Sequence, residues 1–140
     1  MTQQNSQNPY DSVRRPRKGN LFASFRFSFQ GLLWAACAER NLRLHFIVAL
    51  TVILLGAWLR VSLIEWLPLF GVIALVLISE MMNTIVELFV DMVTQERSPA
   101  AKCVKDVAAG AVLIAAVTAA IAGFAVLGPP LWGKISLLWK

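Results

Sequence analysis

From Trp66 to Val93 the chain is apolar for long enough to cross a bilayer as a helix, except that its second half carries Glu80, Asn83, Glu87 and Asp91. About 20 apolar residues suffice to span the ~30 Å hydrocarbon core. At about 100° per residue the four polar side chains fall within roughly 80° of arc, on one face of that helix. A carboxylate at bilayer depth costs about 2.5 kcal/mol or more on insertion scales, so such a stripe marks a functional site.

The rest of the sequence fits the same setting. Hydrophobic side chains make up 58% of the 140 residues and charged ones 15%, too apolar a balance for an ordinary soluble domain. Leu44 to Leu59 forms an earlier span, about 44–60 once Arg60 snorkels to the interface, and the second occupies about 64–93, with Trp66 as an interfacial anchor and Pro68 in its first turn. A third, about 101–127, is dominated by Ala and Gly, from Ala108 to Gly123, the small residues that let helices approach closely in lipid; Gly128, Pro129 and Pro130 are expected to close it. Ahead of the spans, residues 21–38 place Phe22, Phe25, Phe29, Leu32, Leu33 and Ala36 on one face, as in an amphipathic helix lying on the membrane surface. Residues 1–20 are polar and read as a disordered tail, and 131–140 as a short C-terminal tail. The fold class expected is therefore an all-α membrane protein, with a surface helix and three transmembrane helices making one domain over 21–130.

The net charge of +5 does not point to nucleic acid. Seven of the thirteen basic residues precede the first span, one lies between the first two, three lie between Arg97 and Lys105, and two follow the third. That asymmetry puts the N-terminus and the loop between spans two and three in the cytosol. Five of the eight carboxylates, Glu80, Glu87, Asp91, Glu96 and Asp106, then gather at one interface on the cytosolic side. The chain has no signal-peptide pattern, so its spans are expected to direct insertion. Cys37 and Cys103 have no CxxC or Cys/His company and read as small packing residues.

Carboxylates, an amide and lysines facing the cytosol are the parts needed to hold a Mg-nucleotide, since magnesium takes one or two carboxylates plus phosphate oxygens and lysine neutralises phosphate. A carboxylate nearer the lipid can take a proton from an alcohol. The same residues also admit plainer readings. Glu87 and Asp91 fit the wet face of a helix leaving the membrane, and Lys105 with Asp106 fits the start of an interfacial helix. Glu39 fits a solvated turn, and His45 an interfacial packing residue. A non-catalytic scaffold or small ion-binding transporter remains an alternative at this point. The chain lacks GxxxxGK[ST] and GxGxxG segments, so a nucleotide site here is made of helix side chains.

The string Glu80-Met-Met-Asn83-Thr84-Ile-Val-Glu87, then Asp91, then Lys105-Asp106-Val-Ala-Ala-Gly-Ala-Val112, with Glu39-Arg-Asn-Leu-Arg upstream, resembles the small prokaryotic diacylglycerol kinases. It is especially similar to their undecaprenol kinase branch, over roughly Asn20 to Leu127. The resemblance implies an ATP- and Mg-dependent lipid kinase of the bacterial plasma membrane that phosphorylates undecaprenol or diacylglycerol. It also implies a homotrimer with active sites shared between neighbours. By position it makes Glu80 the general base, Glu39 and Glu87 the metal-binding carboxylates, and Lys105 and Asp106 the residues at the nucleotide's phosphates and sugar. Asn83, Asp91 and Glu96 would line the same nucleotide site. Phe27 stands where relatives often carry a tyrosine near the nucleotide, so it can stack there but cannot donate a hydrogen bond.

Overall fold

A computed structural model describes residues 21–94, 96 and 98–138. The expected N-terminal tail, 1–20, lies outside them. The described chain is all helical: α1 (Leu21–Ala38), α2 (Arg40–Leu59), α3 (Leu63–Val93) and α4 (Pro99–Leu138). It divides into two units, one ending at Trp34 and the other running from Ala35 onwards. In the first unit α1 leaves Leu21, Phe22, Phe25, Phe27, Phe29, Leu33 and Trp34 exposed, and the Arg26 guanidinium lies 5.3 Å from the centre of the Phe27 ring. Phe22, Phe25, Phe29 and Leu33 share one side of the helix, the kind of apolar stripe that a surface helix presents to a bilayer, whereas Phe27 stands on the opposite side.

In the second unit, α2, α3 and α4 are each long and apolar enough to cross a membrane. The turns between them are written in local chemistry. Glu39, in extended conformation, is the single residue between α1 and α2; its N–H still donates to Ala35 O at 2.8 Å while its own carbonyl accepts from Arg43. α2 ends at Arg60, which has φ 57°, with Arg60 N–H donating to Ala57 O and Val61 N–H to Gly56 O. That pair of bonds is a Schellman closure, with arginine where glycine is usual. α3 begins at Leu63 because Glu65 reaches back to accept from the Ser62 N–H at 3.0 Å and from its hydroxyl at 2.6 Å. This capping-box contact starts the helix early and moves Pro68 out of the first turn into the second.

α4 differs more from expectation. It starts at Pro99, two residues before the expected 101, because Ser98 Oγ accepts from Ala101 N–H at 3.0 Å and proline suits the first helical position. It also passes through Pro129 and Pro130 to Leu138, so the expected stop and short tail are replaced by continuous helix. Gly128 has no Cβ to clash with the following proline ring. Tertiary contacts offset the lost N–H donors: Leu127 and Leu131 pack around Leu59 and Leu69. Lys134 Nζ donates to Trp58 O at 2.8 Å and sits 4.1 Å from the centre of the Trp58 ring.

α3 and α4 form the most extensive contact. Leu69 meets Leu127 in the core cluster, and Asp91 meets Lys105 at the other end, an interval of 22 residues on both helices. The two helices therefore run antiparallel in constant register over about 33 Å, close to the thickness of a hydrocarbon core. The inward face of α4 carries Ala108, Val112, Ala115, Ala119 and Ala122, which keeps the α3 backbone near.

α2 approaches α3 where Gly56 faces Trp66; a Cβ on Gly56 would lie 2.8 Å from the Trp66 ring, itself stacked on Phe70 at 5.2 Å. Substitution Gly56→Leu is therefore expected to cost about 1–3 kcal/mol by overpacking. A thermal melt in detergent should show a lowered Tm, with partial recovery in Gly56→Leu/Trp66→Leu; an unchanged Tm would mean that this contact does not set the helix spacing.

Candidate functional site

The polar stripe of α3 lies on the face that carries Leu69, Val76 and Val90, all buried. Glu80 is 3% exposed, Thr84 4% and Asn83 8%, while Glu87 is half-buried and Asp91 exposed. By the register above, Glu80 is level with Ala116 of α4, Asn83 with Leu113 and Glu87 with Ala109. Half-buried Ala116, level with Glu80, leaves room for its carboxylate in the helix interface.

Within the stripe, Asn83 Nδ2 donates to Glu87 Oε1 at 2.9 Å, and Thr84 Oγ1 donates to the Glu80 carbonyl at 3.1 Å. Asn83 Oδ1 is buried without a hydrogen-bond partner among the described residues, and no hydrogen bond there reaches the Glu80 carboxylate. Unsatisfied buried acceptors are uncommon and costly. Asn83 Oδ1 is therefore an acceptor open to a hydroxyl or other donor of a bound molecule.

Towards the α3–α4 loop the stripe opens into a cleft of about 890 Å³. Asp91, Glu96, Lys105 and Asp106, four of the residues singled out from the sequence, line it together with Val90, Thr94, Ser98 and Lys102. Lys105 Nζ lies 2.6 Å from Asp91 Oδ1. Lys105 faces α3 because it falls on the α4 stripe that continues through Ala108, Ala115 and Ala119; Asp106, one residue on, is exposed. Asp91 stands 11 residues beyond Glu80, or about 16 Å along the helix. Cleft and buried carboxylate are thus two ends of one polar track.

Glu39 does not line the cleft. It is half-buried at the corner between α1 and α2 and makes no side-chain cap. Among the described residues, no three His, Cys, Asp or Glu side chains come together in metal-binding geometry. Phe27 belongs to the first unit, where it is 61% exposed. Sequence reasoning passed over Thr84, Ser98 and Lys102. Thr84 stands four residues after Glu80, which is a helical-face signal; Ser98 ahead of Pro99 is a cap signal; Lys102 lies one turn before Lys105.

On the membrane side, a second and apolar groove of about 490 Å³ lies among α2, α3 and α4. Val76 and Leu77, the turn preceding Glu80, form part of its wall, and half-buried His45 is its polar contribution from α2.

A charged cleft thus lies at one end of the track and an apolar groove beside the other. Comparison with known proteins gives that arrangement its family. Residues 26–127 match the prokaryotic diacylglycerol kinase family. The chain belongs to that family. It is 36% identical over 117 residues to an undecaprenol kinase of Bacillus subtilis, covering 84% of this chain and 95% of the relative. It is 41% identical over 113 residues to a diacylglycerol kinase of Synechocystis, covering 80% of this chain and 65% of that longer relative. Similarity to a diacylglycerol kinase of Escherichia coli is 32% over 95 residues, 68% of this chain and 78% of the relative. Membership makes this diacylglycerol kinase family protein a phosphotransferase with an alcohol acceptor, and its three apolar helices make it an integral membrane protein.

Proposed function

We propose that this member of the family transfers the γ-phosphoryl group of ATP to the hydroxyl of a membrane lipid alcohol, undecaprenol or diacylglycerol. The observation that carries the reading is the burial of Glu80 at one end of a polar face whose other end is the charged cleft. In the step proposed, the lipid hydroxyl oxygen forms a bond to the γ-phosphorus while the bond from that phosphorus to the bridging oxygen of ADP breaks. The hydroxyl proton passes to the Glu80 carboxylate, which its enclosure keeps free of competing hydrogen bonds. Asn83 holds Glu87 through its amide and offers its free Oδ1 to a donor on the substrate. Lys105 and Asp106 take the nucleotide's phosphates and sugar, with Asp91 and Glu96 lining the same cleft. Phe27 is assigned to stacking against the nucleotide.

Magnesium suits this donor set. Glu87 keeps one oxygen free of the Asn83 contact, and Glu39 is a second carboxylate; two protein oxygens completed by phosphate oxygens are the usual magnesium environment. When bound, the ion supplies neutralisation of phosphate charge. A homotrimer, with Glu39 and Phe27 meeting the cleft of a neighbouring copy, belongs to the same reading, as does a plasma-membrane placement with the cleft facing the cytosol. The basic residues flanking the cleft end of the spans support that orientation.

The acceptor is expected to lie with its hydroxyl at Glu80 and its apolar part along the neighbouring groove. The undecaprenol kinase relative, covered over 95% of its length, favours undecaprenol. Incubating the purified protein in lipid micelles with γ-labelled ATP and Mg²⁺ should move label into the lipid fraction, faster with undecaprenol than with diacylglycerol. Failure to label either lipid would overturn the reading in favour of a non-catalytic membrane protein.

A further inference from the structure

We infer that Lys102 is a positioning residue for the nucleotide, holding the end of the phosphate chain remote from the transferred group. The inference rests on the nucleotide reading of the cleft. Among the described residues, that cleft is lined by three carboxylates, Asp91, Glu96 and Asp106, and by two ammonium groups, Lys102 and Lys105. Lys105 is already paired with Asp91 at 2.6 Å. The charges left over are those of Glu96 and Asp106 against Lys102. Lys102 is exposed, and it has no ion-pair or hydrogen-bonding side-chain partner among the described residues. Without Lys102, the described lining presents uncompensated negative charge to an anionic ligand. With it, an ammonium stands available at the mouth without first breaking a salt bridge.

Position decides which part of the ligand it meets. Lys102 is one helical turn from Lys105 on α4, on the side away from Glu80, about 4.5 Å further along the axis. The transferred phosphoryl group must approach Glu80, so Lys105 lies nearer the reacting end and Lys102 nearer the sugar end. A cation there interacts with phosphate oxygens that the enzyme binds similarly before and during transfer. Such uniform binding appears in KM and leaves kcat nearly untouched.

The test uses the full chain in lipid micelles. Lys102→Ala is expected to raise KM for MgATP roughly two- to fivefold, the size of a solvent-exposed charge contact. The Ki for ADP should rise by the same factor, with kcat within about twofold and KM for the lipid alcohol unchanged. Lys102→Arg should recover most of the loss, because it keeps the charge. Alanine is a better helix former than lysine, so the substitution does not threaten α4. An unchanged KM for MgATP overturns the inference, and so does a joint change in kcat and both KM values, which would show a structural role. Lys105→Ala separates the two levels of the argument: if it impairs ATP use while Lys102→Ala does not, only the Lys102 assignment fails. If neither substitution affects ATP use, the nucleotide reading of the cleft fails with it.

Discussion

Glu80→Gln is expected to abolish turnover, with a fall of about 10²–10⁴-fold, the range of a lost general base. Glutamine has nearly the same size and shape, so it fits the enclosed site at 3% exposure, but its amide cannot take the proton from the acceptor hydroxyl. The same substitution should leave thermal stability unchanged, because no hydrogen bond among the described residues depends on the Glu80 side chain. The combination is diagnostic: turnover lost, Tm kept, and ATP binding kept. Near-normal turnover in purified Glu80→Gln would end the base assignment. A large drop in Tm would instead move Glu80 from chemistry to packing.

The second large effect is expected at Lys105. Removing its ammonium by Lys105→Ala should lower kcat/KM for ATP by about 10²–10³-fold, as the loss of one fixed donor at developing charge commonly does. Folding offers little alternative explanation. The Lys105–Asp91 pair is 34% and 64% exposed, and surface pairs of this kind are worth about 0–1 kcal/mol. Asp91→Asn supplies the contrast, since it breaks the same ion pair but leaves the cation in the cleft; its effect on kcat/KM should be about tenfold smaller than that of Lys105→Ala. Steady-state kinetics of both variants beside their melting curves would decide the matter. Equal losses would assign importance to the ion pair, not to the cation.

Much of this was legible before any coordinates. The helical period and apolar length announced all four helices, with α1 at 21–38 and α3 within a residue of its expected limits. Glu80, Asn83, Glu87 and Asp91 stood out because polar groups in an apolar helix are costly. The grouping of Asp91, Glu96, Lys105 and Asp106 was anticipated by the resemblance, while composition alone also allowed a plain interfacial helix start. The misreadings have physical causes. Pro129 and Pro130 are strong stop signals locally, but the Leu127 and Leu131 contacts and the Lys134–Trp58 contacts outweigh them. The start of α4 at Pro99, ahead of the expected 101, comes from the Ser98 cap on Ala101 N–H, a contact that apolar periodicity does not register.

The amino-acid sequence by itself determined that this protein crosses a membrane as helices and carries a one-sided polar stripe, because both follow from local period and from the cost of polar groups in lipid. Only the tertiary structure decided which members of that stripe are enclosed and which are free. Burial of Glu80, Asn83 and Thr84, and exposure of Asp91, depend on the antiparallel register of α3 against α4. That register is set by contacts as far apart as Leu69 with Leu127, and no stretch of either helix encodes it alone.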